Sequence, residues 1–166
     1  MQQPRLTICD TMNFWIENAR DEVLEVFRRV DVAAMNDAEL RQLTGEPNLA
    51  KAATEVLTMG PQYLIIKKGE YGSMMCDTNG DCFILPGFPT AVVIDPTGAG
   101  DSFAGGMMGH LCQAKKVDII SLRNAMVCGT VTASFTIGDF SIHGIKAVSK
   151  ADIDERIDTL RKVTQF

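Results

Sequence analysis

The sequence has no apolar run near the ~20 residues that a membrane-spanning helix requires, and no signal-peptide pattern opens it. Basic residues are also few, with 16 Lys and Arg against 21 Asp and Glu, a formal net charge of −5. An acidic chain without a basic stripe is a poor partner for nucleic acid or an anionic membrane. We therefore expect a cytoplasmic protein that acts on a small molecule and binds neither nucleic acid nor membrane.

Cysteine and histidine are scarce and scattered. The five cysteines form no C-x-x-C pair and no Cys/His cluster: Cys9, Cys76, Cys82, Cys112 and Cys128. This spacing argues against a disulfide framework and a zinc site, and it favours small buried side chains in a reducing compartment. His110 and His143 are each without a neighbour at metal-ligand spacing, so we interpret both as surface or core histidines.

Two common nucleotide-binding motifs are absent. The chain contains no G-x-x-x-x-G-K-[ST] and no G-x-G-x-x-G after its first predicted strand, and it has no internal repeat. Its 166 residues are enough for one domain with a sizeable core but not for two. We expect a single α/β domain over residues 1–166.

Short β-type runs alternate with amphipathic helical patterns along the chain. We predict strands at 5–9, 32–35 and 63–66, and helices at 14–29, 38–43, 49–57, 121–135 and 149–163. A further helix follows the glycines near 100 and runs to about 113. Asn79-Gly80 between two apolar runs predicts a β-hairpin at the sheet edge. The alternation indicates a mostly parallel sheet covered by helices, with polar residues gathering at the carboxyl ends of the strands.

The most informative stretch is the glycine-rich turn D-P-T-G-A-G-D-S-F at 95–103, between an apolar run and a helix. Gly98 and Gly100 allow close approach of a ligand, and the first N–H groups of the helix lack helical partners. Such a turn favours a phosphate. Asp101 is an unfavourable neighbour for a phosphate. A role as general base for the attacking hydroxyl would explain why a carboxylate lies beside this turn. A helix cap is the alternative for Asp101, and a tight structural turn is the alternative for the glycines.

This turn resembles the D-x-x-G-A-G-D hallmark of the ribokinase-like, or phosphofructokinase B, family of carbohydrate kinases, and the match is complete. Three looser similarities occur in the family's order: Asp10-x-x-Asn13, Asn36-x-x-Glu39 and Lys67-Lys68-Gly69-x-x-Gly72. The resemblance covers roughly residues 5–163, the back portion of the family. It implies a three-layer α/β/α fold lacking the N-terminal strands, with their glycine pair, and the β lid.

The resemblance also implies roles for the turn. Asp101 would be the catalytic base, and the backbone of Gly98, Ala99 and Gly100 would stabilise charge on the transferred phosphoryl group. Asp95 and Thr97 would bind a monovalent cation, K⁺, although the residues themselves indicate only a strand end and a turn hydroxyl.

The looser similarities imply a nucleotide and magnesium site. Asn36 and Glu39 would hold Mg²⁺ through water, although Asn-x-x-Glu is also an ordinary helix-capping pair. Asn13 and Asp10 are explained almost as well by loop capping. The remaining candidates for ATP binding are Lys67, favoured over Lys68 because only one of the two can point inward, and Gly69, Gly72 and Asn124. Asn124 resembles a residue near the adenine, with an ordinary surface position as the alternative.

Two functions follow from this pattern. The first is an ATP- and Mg²⁺-dependent kinase that phosphorylates a hydroxyl of a sugar or nucleoside. The second is a catalytically incomplete nucleotide-binding or assembly module, because the part of the family that holds most sugar-contacting residues is missing. A truncated sheet would expose an edge strand, so we also expect a homo-oligomer formed through that edge.

Overall fold

The computed structural model describes residues 4–165, and its five strands form one mixed sheet in the order β1-β2-β3-β4-β5. β1, β2 and β3 are parallel, and β4 is antiparallel to β3. The strands are β1 (Ile8–Asp10), β2 (Val32–Asn36), β3 (Tyr63–Lys67), β4 (Ser73–Asp77) and β5 (Cys82–Leu85). The predicted α/β class, with parallel strands and a hairpin at the edge, is confirmed.

Four helices connect the parallel strands: α1 (Asn13–Asn18), α2 (Arg20–Phe27), α3 (Asp37–Thr44) and α4 (Leu49–Thr58). Alternate strand residues such as Ala33, Leu64 and Ile66 pack with these helices in one buried cluster. The single helix predicted over 14–29 is broken at Ala19, whose φ of −147° and ψ of 42° are not helical. The sequence hides this break because the buried residues of α1 and α2 keep helical spacing across it.

Local capping chemistry sets both ends of α3 and the start of α4. Asn36 caps α3 in a capping box with Glu39, and Gly45 ends the helix in the left-handed region at φ 74°. Asn48 caps α4 by accepting the N–H groups of Ala50 and Lys51. These boundaries follow from residues within four positions of each helix end.

The hairpin of β4 and β5 contains a disulfide that sequence analysis did not anticipate. Its turn is held by Asp77, whose Oδ1 accepts the N–H groups of Asn79 at 2.9 Å and Asp81 at 3.0 Å. Cys76 and Cys82 are bonded, with their Cα atoms 4.3 Å apart. The argument from spacing against a disulfide framework missed this pair, because the hairpin brings together cysteines whose separation in sequence forms no recognisable motif. Three cysteines remain free: Cys9, Cys112 and Cys128.

Residues from Leu85 onward form a second compact unit, which is helical. Three prolines punctuate its irregular opening, and four helices follow: α5 (Ala99–Gln113), α6 (Ile119–Thr136), α7 (His143–Lys146) and α8 (Lys150–Thr164). α5 and α6 are in close contact at two glycines. A Cβ atom on Gly106 would lie 2.5 Å from Thr132 Oγ1, and one on Gly129 would lie 2.6 Å from the Phe103 carbonyl oxygen.

α8 begins with a capping box and contacts α6 through Arg156. Ser149 and Asp152 form the capping box. Arg156 places its guanidinium 3.5 Å from the centroid of the Phe135 ring and donates a 2.7 Å hydrogen bond to Ser134 Oγ. Partial burial lowers the pKa of Arg156 below its ordinary value. This contact attaches α8 to the end of α6.

The first compact unit ends at Ile84 and the second begins at Leu85. The expectation of one domain over 1–166 stays a prediction. Within residues 4–165, no helix has both the length and the apolar composition needed to span a bilayer.

Candidate functional site

Polar side chains gather at the carboxyl ends of the parallel strands in the first unit. Asp10, Asn36 and Lys67 are the last residues of β1, β2 and β3. Asn36 pairs in register with Lys67, and Lys67 with Ser73, so these three side chains share one face of the sheet. Lys67 Nζ lies 2.5 Å from Asp10 Oδ2. The structure thus brings together Asp10 and Lys67, two of the polar groups expected to meet there.

Lys67 and Lys68 have different environments because β3 ends at Lys67. The Lys67 side chain is 19% exposed and reaches across to β1. Lys68 instead belongs to the turn that follows, where its N–H donates to the Gly72 carbonyl at 2.8 Å. Gly69 and Gly72 both have positive φ, at 56° and 87°, which explains glycine at both positions of this turn.

Asn36 and Glu39 form a reciprocal pair at the start of α3. The Glu39 N–H donates to Asn36 Oδ1 at 2.8 Å, and the Asn36 N–H donates to Glu39 Oε2 at 2.7 Å. Glu39 is only 5% exposed, and burial raises the pKa of its carboxyl above the ordinary value. Capping, the alternative considered for this pair, is therefore realised, and Glu39 Oε1 takes no part in it.

The donor set around Glu39 suits a hard cation. Asp10, Asn36 and Glu39 offer carboxylate and amide oxygens, which Mg²⁺ prefers. Within residues 4–165, no three His, Cys, Asp or Glu side chains are grouped so that they could hold a metal. The predicted water-mediated role of Asn36 and Glu39 in holding Mg²⁺ stays a prediction.

Asn13 contacts α3 through its side chain. Its amide nitrogen donates to Gln42 Oε1 at 2.5 Å, and Gln42 in turn donates to Glu17 at 3.0 Å. Sequence reasoning missed Ser73, whose hydroxyl is buried without a hydrogen-bond partner in the described part of the chain. Only the strand register, which places it beside Lys67, indicates a role in this group.

The glycine-rich turn of the second unit leads directly into α5. Gly98 is the N-cap of the helix and lies in the left-handed region, at φ 80°. Ala99 already donates its N–H to the Pro96 carbonyl at 3.2 Å, and Ser102 donates to the Gly98 carbonyl at 2.9 Å. Helix geometry leaves the N–H groups of Gly100 and Asp101 without an acceptor inside α5. Together with the helix dipole, these groups can bind an anion.

Asp95 is held at the entrance of this turn. Its Oδ1 accepts the Thr97 N–H at 2.9 Å. Hydrogen bonds from Thr97, and a further one from the Ser141 backbone, lower the pKa of Asp95 below its ordinary value. Asp95 and Thr97, the predicted cation ligands, are therefore adjacent, with Ser141 in the left-handed region at φ 59° beside them.

Asp101 and Asn124 lie at exposed positions in the same unit. Asp101 is in the first turn of α5, where its carboxylate faces solvent near the open N–H groups. Asn124 is on the exposed side of α6. His110, which sequence analysis treated as isolated, has the Cys128 sulfur 3.4 Å from its Nδ1.

Comparison with known proteins gives a consistent result. The family model described as "pfkB family carbohydrate kinase" matches residues 6–142. A cytidine kinase of Thermococcus kodakarensis is 30% identical over 101 residues, which are 60% of this chain and 36% of that protein.

Solved structures share the fold. An aminoimidazole riboside kinase from Salmonella enterica, solved with aminoimidazole riboside and an ATP analogue, has a TM-score of 0.76 at 23% identity, over 92% of this chain and 52% of that one. A fructokinase double mutant from Vibrio cholerae, solved with fructose, ADP and potassium, also has a TM-score of 0.76, at 19% identity, over 92% and 50%. The chain thus spans about a third of the cytidine kinase and half of these two proteins.

Proposed function

Because the chain belongs to the pfkB family of carbohydrate kinases, we propose that it carries the nucleotide-binding and phosphoryl-transfer part of an ATP-dependent kinase. Its acceptor is a hydroxyl of a sugar or nucleoside, and it works in the cytoplasm, where ATP is available. The observation that carries the proposal is the start of α5, where Asp101 adjoins N–H groups that the helix leaves open.

The turn acts on the transferred phosphoryl group. Phosphoryl transfer passes through a loose transition state in most analyses, so position and charge stabilisation matter more than base strength. Gly98 and Gly100 keep the backbone free of side chains, and the N–H groups at 98–101 stabilise negative charge on the phosphoryl oxygens. Since Ala99 donates to Pro96, Gly100 and Asp101 contribute most. Asp101 accepts the proton of the attacking hydroxyl.

The strand-end group of the first unit serves the nucleotide. Lys67 offers a cation to the phosphates, while Gly69 and Gly72 let the nucleotide approach the backbone. Asn36 and Glu39 hold Mg²⁺ through water, and the ion neutralises phosphate charge when bound. We assign Asn13 to the same region and Asn124 to the adenine, both on the family resemblance alone.

Asp95 and Thr97 form a site for a monovalent cation, K⁺. Hydrogen bonds that lower the pKa of Asp95 keep its carboxylate charged, as a cation ligand must be. The potassium named for the Vibrio cholerae fructokinase supports this choice of ion.

The kinase proposal is tested by ADP formation from ATP and Mg²⁺ with a panel of sugars and nucleosides. Asp101→Asn should lower turnover by about 10²- to 10⁴-fold, the usual contribution of a general base. Asp21→Asn is the matched control, because Asp21 is also an exposed acid in the first turn of a helix, α2. Undiminished turnover in Asp101→Asn would remove the base assignment.

The second candidate, a nucleotide-binding or assembly module without catalysis, is favoured by one observation: the chain spans only part of its relatives. It predicts ATP binding with no ADP formation from any acceptor. The same assay on a version extended to the length of the relatives separates the two, because restored turnover in the long form alone would mean that this portion needs the remainder.

We also propose that the chain forms a homo-oligomer through β1. This strand lies at one end of the sheet order and pairs only with β2 among residues 4–165, so one edge is open to another strand. Sedimentation at several concentrations tests the proposal, and a monomer throughout would contradict it.

A further inference from the structure

The end of α6 contacts the glycine-rich turn through a buried hydroxyl. Thr136, the last residue of α6, is 4% exposed, and its hydroxyl donates a 2.7 Å hydrogen bond to Ser102 Oγ. The other acceptor within reach, the Thr132 carbonyl, lies at 3.5 Å, at the limit for a hydrogen bond. The bond to Ser102 is therefore the principal one.

The next residue along the chain holds the other side of the same turn. The Ile137 carbonyl accepts the N–H of Ile94 at 2.8 Å and that of Asp95 at 3.4 Å. Between these two attachments, a Cβ atom built on Gly98 would have the Thr136 methyl, Cγ2, at 4.0 Å. Two consecutive residues thus hold the glycine-rich turn. Ile137 holds it where the chain enters the turn, and Thr136 holds it where α5 begins.

From this arrangement we propose that Thr136 is a positioning residue for phosphoryl transfer, acting through Ser102. The proposal rests on the function assigned above to the turn. The Ser102 N–H makes the first hydrogen bond of α5, to the Gly98 carbonyl at 2.9 Å. Fixing the Ser102 side chain therefore fixes the first turn of the helix, including the open N–H groups of Gly100 and Asp101. It also fixes the backbone that carries Asp101.

Thr136→Val isolates the hydroxyl, because valine keeps a methyl group toward Gly98 and loses the donor. Thr136→Ser keeps the donor and loses the methyl. Thr164→Val is the matched control: Thr164 is the last residue of α8, and its hydroxyl donates to the Leu160 and Arg161 carbonyls of its own helix. Ser102→Ala removes the acceptor instead and provides a second route if Thr136→Val does not fold.

The first measurement is hydrogen exchange of the Ser102 amide by NMR, without ligand, with the buried Met126 amide as the reference for global unfolding. Relative to its intrinsic rate, the amide of residue 102 should exchange about fivefold faster in both Thr136→Val and Ser102→Ala, the effect of one hydrogen bond. The double variant should show no further increase, since both changes remove one interaction. Thr136→Ser keeps the donor and should retain the wild-type exchange rate, and Thr164→Val should also leave that rate unchanged.

The second measurement is a titration with ATP, followed at the Gly100 and Asp101 amides. Thr136→Val should weaken ATP binding about fivefold, whereas Thr136→Ser should bind ATP as tightly as the wild type does. If these amides of the wild-type chain do not respond to ATP, the proposed function fails, and the exchange data still decide the positioning role. Two results would overturn the inference even if ATP binds. One is a wild-type exchange rate of the Ser102 amide in Thr136→Val, and the other is faster exchange of this amide in Thr136→Ser.

Discussion

Two adjacent glycines of α5 should respond differently to alanine. A Cβ atom at Gly106 would meet Thr132 Oγ1 at 2.5 Å, Thr132 Cβ at 2.8 Å and the Cys128 carbonyl oxygen at 3.0 Å. A Cβ atom at Gly105 would have no such neighbour within 4 Å. The helix backbone is the same at both positions, so the comparison isolates the packing of α5 against α6.

The expected magnitudes follow from two opposing effects. Alanine is favoured over glycine inside a helix by about 1 kcal/mol, so Gly105→Ala should raise the free energy of unfolding by up to that amount. Gly106→Ala gains the same propensity, but it must separate the two helices or move Thr132, at a cost of roughly 1–3 kcal/mol. The close backbone oxygen of Cys128 cannot move away as a flexible side chain could. The two variants should therefore differ by about 1–3 kcal/mol, with Gly106→Ala the less stable.

Urea unfolding followed by circular dichroism measures this difference through the midpoint at constant m-value. Gly109→Ala is a second control, because a Cβ atom there also has open space within 4 Å. Equal stability of Gly105→Ala and Gly106→Ala would refute the close packing of α5 on α6. Gly106→Ala should also weaken ATP binding at the start of α5 if the position of this helix governs the turn.

Two further predictions concern the first unit. Burial raises the pKa of Glu39, so the folded chain binds the carboxyl proton more tightly than the unfolded chain does. The free energy of unfolding should therefore fall as pH rises from the ordinary pKa of glutamate through the raised one. Glu39→Gln keeps an acceptor for the Asn36 N–H. Its free energy of unfolding in urea should rise relative to that of the wild type between pH 4 and pH 7. A relative fall over that interval would contradict burial as the cause of the raised pKa. Cys82→Ser should cost about 2 kcal/mol under oxidising conditions, because the disulfide closes a loop of sequence separation 6. Dithiothreitol should not destabilise Cys82→Ser further, and Cys112→Ser should be as stable as the wild type.

Local chemistry explains which features could be predicted from the sequence. The caps at Asn36, Asn48 and Ser149 depend on hydrogen bonds to residues at most three positions away. The Asn79-Gly80 turn and the left-handed Gly98 depend on backbone preferences at single positions. The break at Ala19 was missed because periodicity reports which face of a helix is buried, not whether the backbone is continuous.

What the sequence by itself determined is the order of strands and helices, the position of the glycine-rich turn and the family to which these belong. Only the tertiary structure decided which polar groups meet. Lys67 finds Asp10 57 residues away, and Thr136 finds Ser102 34 residues away. The strand-end pattern predicts only the region where Asp10 and Lys67 lie. The pairing itself depends on strand register and helix packing, which are set by the whole buried core.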